Sequence, residues 1–293
     1  MSDALRILIS GQHGQVSQAL QNSLSGLGEL TVLGRDVLDL SQPESIREVV
    51  QRLKPDLIIN AAAHTAVDLA ESEPALAFAI NATAPGVFAQ EAAGLGVPFI
   101  HYSTDYVFDG SKAGPWVESD PTHPLSVYGS SKLAGEQAIA AAGGHCLILR
   151  TSWVYSLTGR NFLLTMQRLL QEREKLSIVS DQIGAPTWAG TIADSTRQLI
   201  ERWRDGNAGA WGIYHLTASG QASRFDFAQA IGDQLVKAGK PCASLEGILT
   251  SGYPTPAARP LNSRLDCSRL QQEWGVSQPD WHDAMLECLA QQQ

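Results

Sequence analysis

The chain has 293 residues, enough for one large α/β domain or a nucleotide-binding domain with a smaller partner. It carries 30 acidic and 21 basic residues, a net charge of -9. With no Lys/Arg run to neutralise phosphates, nucleic-acid binding is not expected, whereas an anionic small ligand needs only a few placed arginines. Cys146, Cys242, Cys267 and Cys288 stand far apart without a CxxC or Cys/His cluster, so no metal site is expected and the composition suits a reducing cytosol. No segment approaches the roughly 20 apolar residues that span a bilayer, which predicts a soluble, cytoplasmic protein with no membrane contact.

Short apolar runs alternate with helical patterns through the first half. Strands are predicted over 6–10, 30–33, 57–60, 97–103 and 146–150, and helices over 16–24, 43–53, 74–93 and 127–141. Strands separated by helices imply right-handed βαβ units, hence an α/β fold of the Rossmann type with a doubly wound parallel sheet. After Arg150, Gly, Pro and Trp become frequent and the strands shorten. This predicts a nucleotide-binding domain over 1–152 and a smaller, mainly substrate-binding domain over 153–293, with parts of 160–240 returning to the first.

The first strand runs into Gly11-Gln12-His13-Gly14-Gln15-Val16. Gly11 permits a tight turn, and Gly14 lets backbone approach a pyrophosphate at the helix N-terminus. Ser17 stands where a third glycine is usual and is still small enough for close helix–strand packing. The second strand ends at Leu33-Gly34-Arg35-Asp36. Arg35 suits the 2′-phosphate of NADPH, while a solvated surface cation is the plainer alternative; NADH stays open. Asp39 and Leu40 follow in reach of the adenine. The third strand delivers Asn60-Ala61-Ala62-Ala63-His64-Thr65, small residues that give a flat cofactor arm room to cross the sheet.

Two segments carry the chemistry. Ser103-Thr104-Asp105-Tyr106 lies at the end of the fourth strand, and Tyr128-Gly129-Ser130-Ser131-Lys132 opens a helix. A spacing of four puts Tyr128 and Lys132 on one helix face. The Lys132 ammonium is expected to pull the Tyr128 hydroxyl down toward neutrality, so that it protonates a developing alkoxide as hydride arrives at carbon. Lys132 can also hold the nicotinamide ribose, and Thr104 can donate a second hydrogen bond to the same oxygen. A lone YxxxK is weak; its order after the glycine turn, the alanine strand and Thr104 is specific.

The chain resembles the extended short-chain dehydrogenase/reductases. The residues that carry the resemblance are GQHGQV (11–16), NAAAHTAVDLAESEP (60–74), HYSTDYVFDG (101–110), YGSSKLAGE (128–136), RTSWVY (150–155), DQIGAPT (181–187) and RPLNSRL (259–265). Within that family the resemblance implies reduction of the C4 keto group of a dTDP-4-dehydro-deoxysugar, the last step toward dTDP-L-rhamnose. By position it implies Tyr128 as proton donor, Lys132 as its tuner and Thr104 as orienting group. Asp105, with Tyr106 beside it, and Trp153 fall at sugar-contacting positions, and Arg259 where an arginine meets the diphosphate. Gly14, Gln15, Val16, Asp39, Leu40, Ala63, His64 and Thr65 match cofactor contacts.

The remaining candidates have plainer readings. Trp188 is expected to be structural, Asn161 to cap a helix, and His215 to be a satisfied core histidine. Trp153 could be a lobe-interface Trp, and Arg259 could anchor the tail. Two other functions stay in view: an epimerase or dehydratase of the same family, and a regulatory subunit like that of methionine adenosyltransferase, which acts by binding a partner. A dehydratase usually needs an acidic pair after the threonine, and here Asp105 is followed by Tyr106. The oligomeric state stays open, a homodimer included.

Overall fold

The computed structural model describes residues 4–292. Strands β1 (Leu5–Ser10), β2 (Gly28–Leu33), β3 (Leu57–Asn60), β4 (Phe99–Thr104), β5 (Cys146–Thr151) and the Gly212–His215 strand form one six-stranded sheet. All pairings in it are parallel, in the order Gly212–His215, β5, β4, β3, β1, β2. Between β1 and β3 the direction of winding reverses, which opens a crevice beyond the carboxyl ends of those strands.

The strands are buried on both faces, so their side chains alternate between two cores. Ile7, Ile9, Leu57, Ile59, Leu147 and Leu149 meet Leu20 of the Gln15–Ser23 helix and Ile192 and Leu199 of the Ala189–Arg204 helix. Leu8, Ile58, Phe99 and Ile148 face Ile46 and Val50 of the Pro43–Leu53 helix and Phe88 of the Ala84–Leu95 helix. A third core joins the Phe162–Glu172, Arg224–Lys237 and Trp281–Ala290 helices through Leu163, Met166, Phe227, Ile231 and Met285. Residues 189–216 thus serve the central sheet although they follow the first stretch of the third core in sequence.

The predicted helix over 74–93 is interrupted. A π-turn occupies Ala79–Thr83 between the Pro74–Phe78 and Ala84–Leu95 helices. Pro85 has no N–H to give the Asn81 carbonyl four residues back, so the regular ladder cannot continue there. That carbonyl instead lies against Gly135 on the Val127–Ala142 helix, where an added Cβ would stand 2.1 Å from it.

One ion pair is sealed inside the sheet–helix layer. Arg150 on β5 donates to both carboxylate oxygens of Glu136 at 2.9 and 2.6 Å, and Ser103 on β4 donates to the same carboxylate at 2.5 Å. Arg150 and Glu136 are each 2% exposed. Removing one partner strands a charge in a low-dielectric interior. Glu136→Ala should therefore cost about 3–5 kcal/mol in urea unfolding; a loss below about 1 kcal/mol would show that the pair is not sealed from water.

Candidate active site

The groove at the crevice is built from backbone that only small residues permit. Gly11 has φ +91°, and a Cβ there would meet the Ala62 Cβ at 2.9 Å. The turn is closed by Gly11 N–H donating to Leu33 O and Gly14 N–H to Gly11 O. Gly14 caps the Gln15–Ser23 helix without a side-chain bond, so the first N–H groups stay available to an anion. Ser17 is fully buried in that helix, as close packing against the sheet requires.

Two adjoining cavities of about 410 and 460 Å³ share Gly11, Gly34, Arg35, Ala62, Ala63 and Thr65. The first continues past Gln15 and Val16 to Tyr128 and Lys132; the second reaches Asp39, Leu40 and His64. Their joint shape and their glycine and alanine walls fit a dinucleotide. Arg35 is exposed on the rim of both, with no hydrogen bond to any described residue. Asp39 is turned inward on Ser41, whose N–H and hydroxyl hold its carboxyl below the usual range. His64 stands with Nε2 3.5 Å from Glu73, and its backbone is gripped on both sides by the Asn81 amide.

At the far end of the groove, Thr104 donates to Asp105 Oδ1 at 3.0 Å and accepts from Tyr106 N–H at 3.2 Å. The Tyr106 and Tyr128 rings meet edge-on with centroids 5.4 Å apart. Gly129 allows this approach, since a Cβ there would be 2.2 Å from the Tyr106 carbonyl. Ser126 starts the helix by accepting from Gly129 N–H, which points Tyr128 at Thr104.

The electrostatics depart from the sequence-based expectation. Burial pushes the Tyr128 hydroxyl above its ordinary value, the Thr104 hydroxyl only partly offsets this, and Asp105 adds to the rise. Lys132 does not bring it down, because its ammonium points elsewhere: Nζ donates to Tyr102 O at 2.6 Å and sits 3.0 Å from His101 Nε2. Burial lowers Lys132 itself to about 8, with Glu136 opposing. His101 is 1% exposed and is held well below its usual value by burial and by Lys132. Its Nδ1 lies 3.1 Å from the Asn60 amide, which also accepts from Ser10. Asp105 is the group most out of place. Burial raises its carboxyl to about 6 despite hydrogen bonds from Ser263 and Thr104, and Oδ2 has no partner among the described residues.

Beyond Asp105 lies a wall from the second half of the chain. Trp153 has a left-handed backbone, φ +49°. Gly184 lies against one indole face, where a Cβ would stand 2.7 Å from Cε2, and the Arg224 guanidinium carbon lies 3.6 Å over the ring. Both faces of the indole are therefore covered by the protein itself. Arg259 likewise is engaged, paired with both Asp68 oxygens at 2.9 and 2.8 Å and donating to Thr255 and Ala257. Asn161 caps its helix on Leu164 N–H, and Trp188 belongs to the third core. His215 is buried with Nδ1 3.1 Å from Trp116 O, but its Nε2 has no partner among the described residues, so there it is only half satisfied. Sequence reading missed Arg224, His101 and Asn81; His101 opens a quoted motif and Asn81 lies beyond another, but both make sense only through contacts 31 and 50 residues away.

A Tyr and a Lys one helical turn apart at the end of a dinucleotide groove mark the short-chain oxidoreductases, and this chain is of that class. Its relatives narrow the class. The family model described as the RmlD substrate binding domain matches residues 5–293. The chain is 47% identical over 292 residues to the dTDP-4-dehydrorhamnose reductase of Burkholderia thailandensis, covering 97% of this chain and 98% of that one. A dTDP-4-dehydrorhamnose reductase from Bacillus anthracis, solved in complex with NADP, superposes with a TM-score of 0.91 at 32% identity over 98% of this chain and 99% of that one. The UDP-glucose 4-epimerase of Thermus thermophilus shares the fold at 16% identity and a TM-score of 0.76, over 98% and 99% of the two chains. The chain belongs to the dTDP-4-dehydrorhamnose reductase family.

The raised Asp105 carboxyl has a consequence for stability. Its folded value of about 6 lies above the ordinary aspartate value of 3.8, so between those pH values the native state holds the extra proton and stability falls as pH rises. Asp105→Asn should remove a loss on the order of 3 kcal/mol between pH 4 and pH 7. Parallel unfolding curves for the two proteins across that range would contradict the assignment.

Proposed function

We propose that the protein reduces the C4 keto group of dTDP-4-dehydro-L-rhamnose to dTDP-L-rhamnose with NADPH. The observation that carries this reading is that Tyr128 and Lys132 line the end of the groove, with Thr104 bonded to Asp105, whose buried Oδ2 has no partner among the described residues. The relatives' names supply the substrate. Gly11, Gly14, Gln15 and Val16 hold the pyrophosphate, Arg35 the 2′-phosphate, Asp39 and Leu40 the adenine end, and Ala63, His64 and Thr65 the nicotinamide arm. The nicotinamide, when bound, supplies the hydride.

The chain's own residues do the rest. A phenol with a raised pKa keeps its proton at neutral pH, and Tyr128 gives it to the alkoxide as charge develops on the substrate oxygen. Thr104 donates to the same oxygen and holds the ketone within reach. Lys132, with Nζ directed by Tyr102 O and His101, holds the ribose. Asp105 Oδ2 accepts from a sugar hydroxyl, which satisfies the orphaned atom. Tyr106 orients Tyr128 by their edge contact, Trp153 supplies a wall rather than a stacking face, and Arg259 orders the loop over the cleft through Asp68. Residues 1–152 together with 189–216 carry the cofactor, and most of the remainder the sugar nucleotide.

Purified protein should oxidise NADPH when dTDP-4-dehydrorhamnose is added, and Tyr128→Phe should lower kcat by about 10²–10⁴. Tight NADPH binding with no oxidation on adding that substrate would refute the reductase reading. Arg35→Asp should reduce the preference for NADPH over NADH in kcat/KM by roughly tenfold or more, the worth of a charge-assisted hydrogen bond. An unchanged ratio would show that Arg35 does not read the 2′-phosphate.

A further inference from the structure

Two arginines stand near Tyr106, and they are in opposite states. Arg259 has its charge answered: Asp68 takes both terminal nitrogens, and Thr255 and Ala257 take further bonds from Nη1. Arg224 has a guanidinium that makes no hydrogen bond and no ion pair with any described residue. Its guanidinium carbon lies 3.6 Å over the Trp153 ring, with the Phe162 centroid 5.4 Å away. None of its five N–H donors has a partner among the described residues.

An unpaired guanidinium is costly to withdraw from water, and its crowded surroundings lower its pKa to about 10 through burial. The titratable groups nearest it, felt rather than bonded, are Tyr106, Asp105 and Arg259. The carboxyl among them is itself shifted toward its neutral form and does not neutralise it. Much else is arranged to keep Arg224 in this position. Ser223 and Asp226 form a full capping box that fixes the start of its helix. Trp153 adopts a left-handed backbone, and Gly184 supplies the one wall without a Cβ that lets the indole lie where Arg224 stacks on it. Strain and an unpaired charge maintained together are features of a ligand site, not of a packing site.

Stacking fixes the plane of a guanidinium while leaving its fork free, and that fork matches two oxygens of a phosphate group. We propose that Arg224, and not Arg259, receives the anionic diphosphate of the sugar nucleotide. Arg259 acts at one remove, holding residues 255–259 against Asp68 so that the cleft keeps its shape. This assignment rests on the nucleotide-sugar reading of the substrate.

The test is calorimetric binding of dTDP alone to the full-length wild type and to Arg224→Lys, Arg224→Met and Arg259→Gln, with NADPH affinity as the check on the fold. Arg224→Lys keeps a charge and Arg224→Met keeps only the bulk against Trp153. The expected result is a loss of about tenfold or more in dTDP affinity for Arg224→Met, a smaller loss for Arg224→Lys, and unchanged NADPH affinity. Three results overturn it: no dTDP binding by the wild type, Arg224→Met binding dTDP at least as well as Arg224→Lys, or Arg259→Gln losing more affinity than Arg224→Met. Wild type that binds dTDP yet does not reduce dTDP-4-dehydrorhamnose sinks the reductase reading and leaves this assignment standing.

Discussion

The site depends on a charge pair that never touches it. Glu136 lies one turn beyond Lys132 on the same helix, Arg150 lies on β5, and Ser103 precedes Thr104 on β4. The three side chains lock that helix to both central strands at the level where the chemistry occurs. Hydrophobic packing alone would hold the layers together but would tolerate small sliding; a buried bidentate pair does not, because any displacement leaves charge unanswered. Tyr128 and Lys132 reach fixed positions relative to Thr104 for that reason.

Burial then sets the state of each ionisable group in the site. Tyr128, Lys132, His101 and Asp105 are all pushed toward their neutral forms in the unliganded fold. A site of this kind is poor at holding charge until ligands bring compensating groups. Its donors and acceptors are nevertheless already aimed, so binding fills positions instead of creating them. Lys132 shows the point best: its Nζ is directed by Tyr102 O and His101, a polar chain that continues through Asn60 to Ser10 beneath the cofactor groove.

Much of the frame was legible in the sequence because its signals are local. The strand–glycine–helix start at Gly11, the strand ends and the Tyr128–Lys132 spacing all follow from backbone sterics and periodicity, and β3 and the Pro43–Leu53 helix fall where the apolar pattern puts them. What could not be read depends on contacts between distant residues. Arg224 looks like any helix-opening arginine until Trp153 is placed under it. The direction of the Tyr128 shift was misjudged because helix spacing reports a shared face, not where Nζ is directed. Likewise, the 74–93 pattern hides its interruption, since a π-turn preserves helical periodicity on both sides and only Pro85 betrays it.

That interruption amounts to one residue inserted into a helix. Asn81 owes its heading to it: the amide bridges the His64 backbone and Ser131, one residue before Lys132. Each helical residue turns the next by about 100°, so removing a single residue from Ala79–Thr83 would rotate the flanking helical segments against each other and swing Asn81 away from both partners. The segment can accept changes of side chain far more readily than any change of length. Its residue count is what ties the loop at His64 to the Val127–Ala142 helix as one rigid piece.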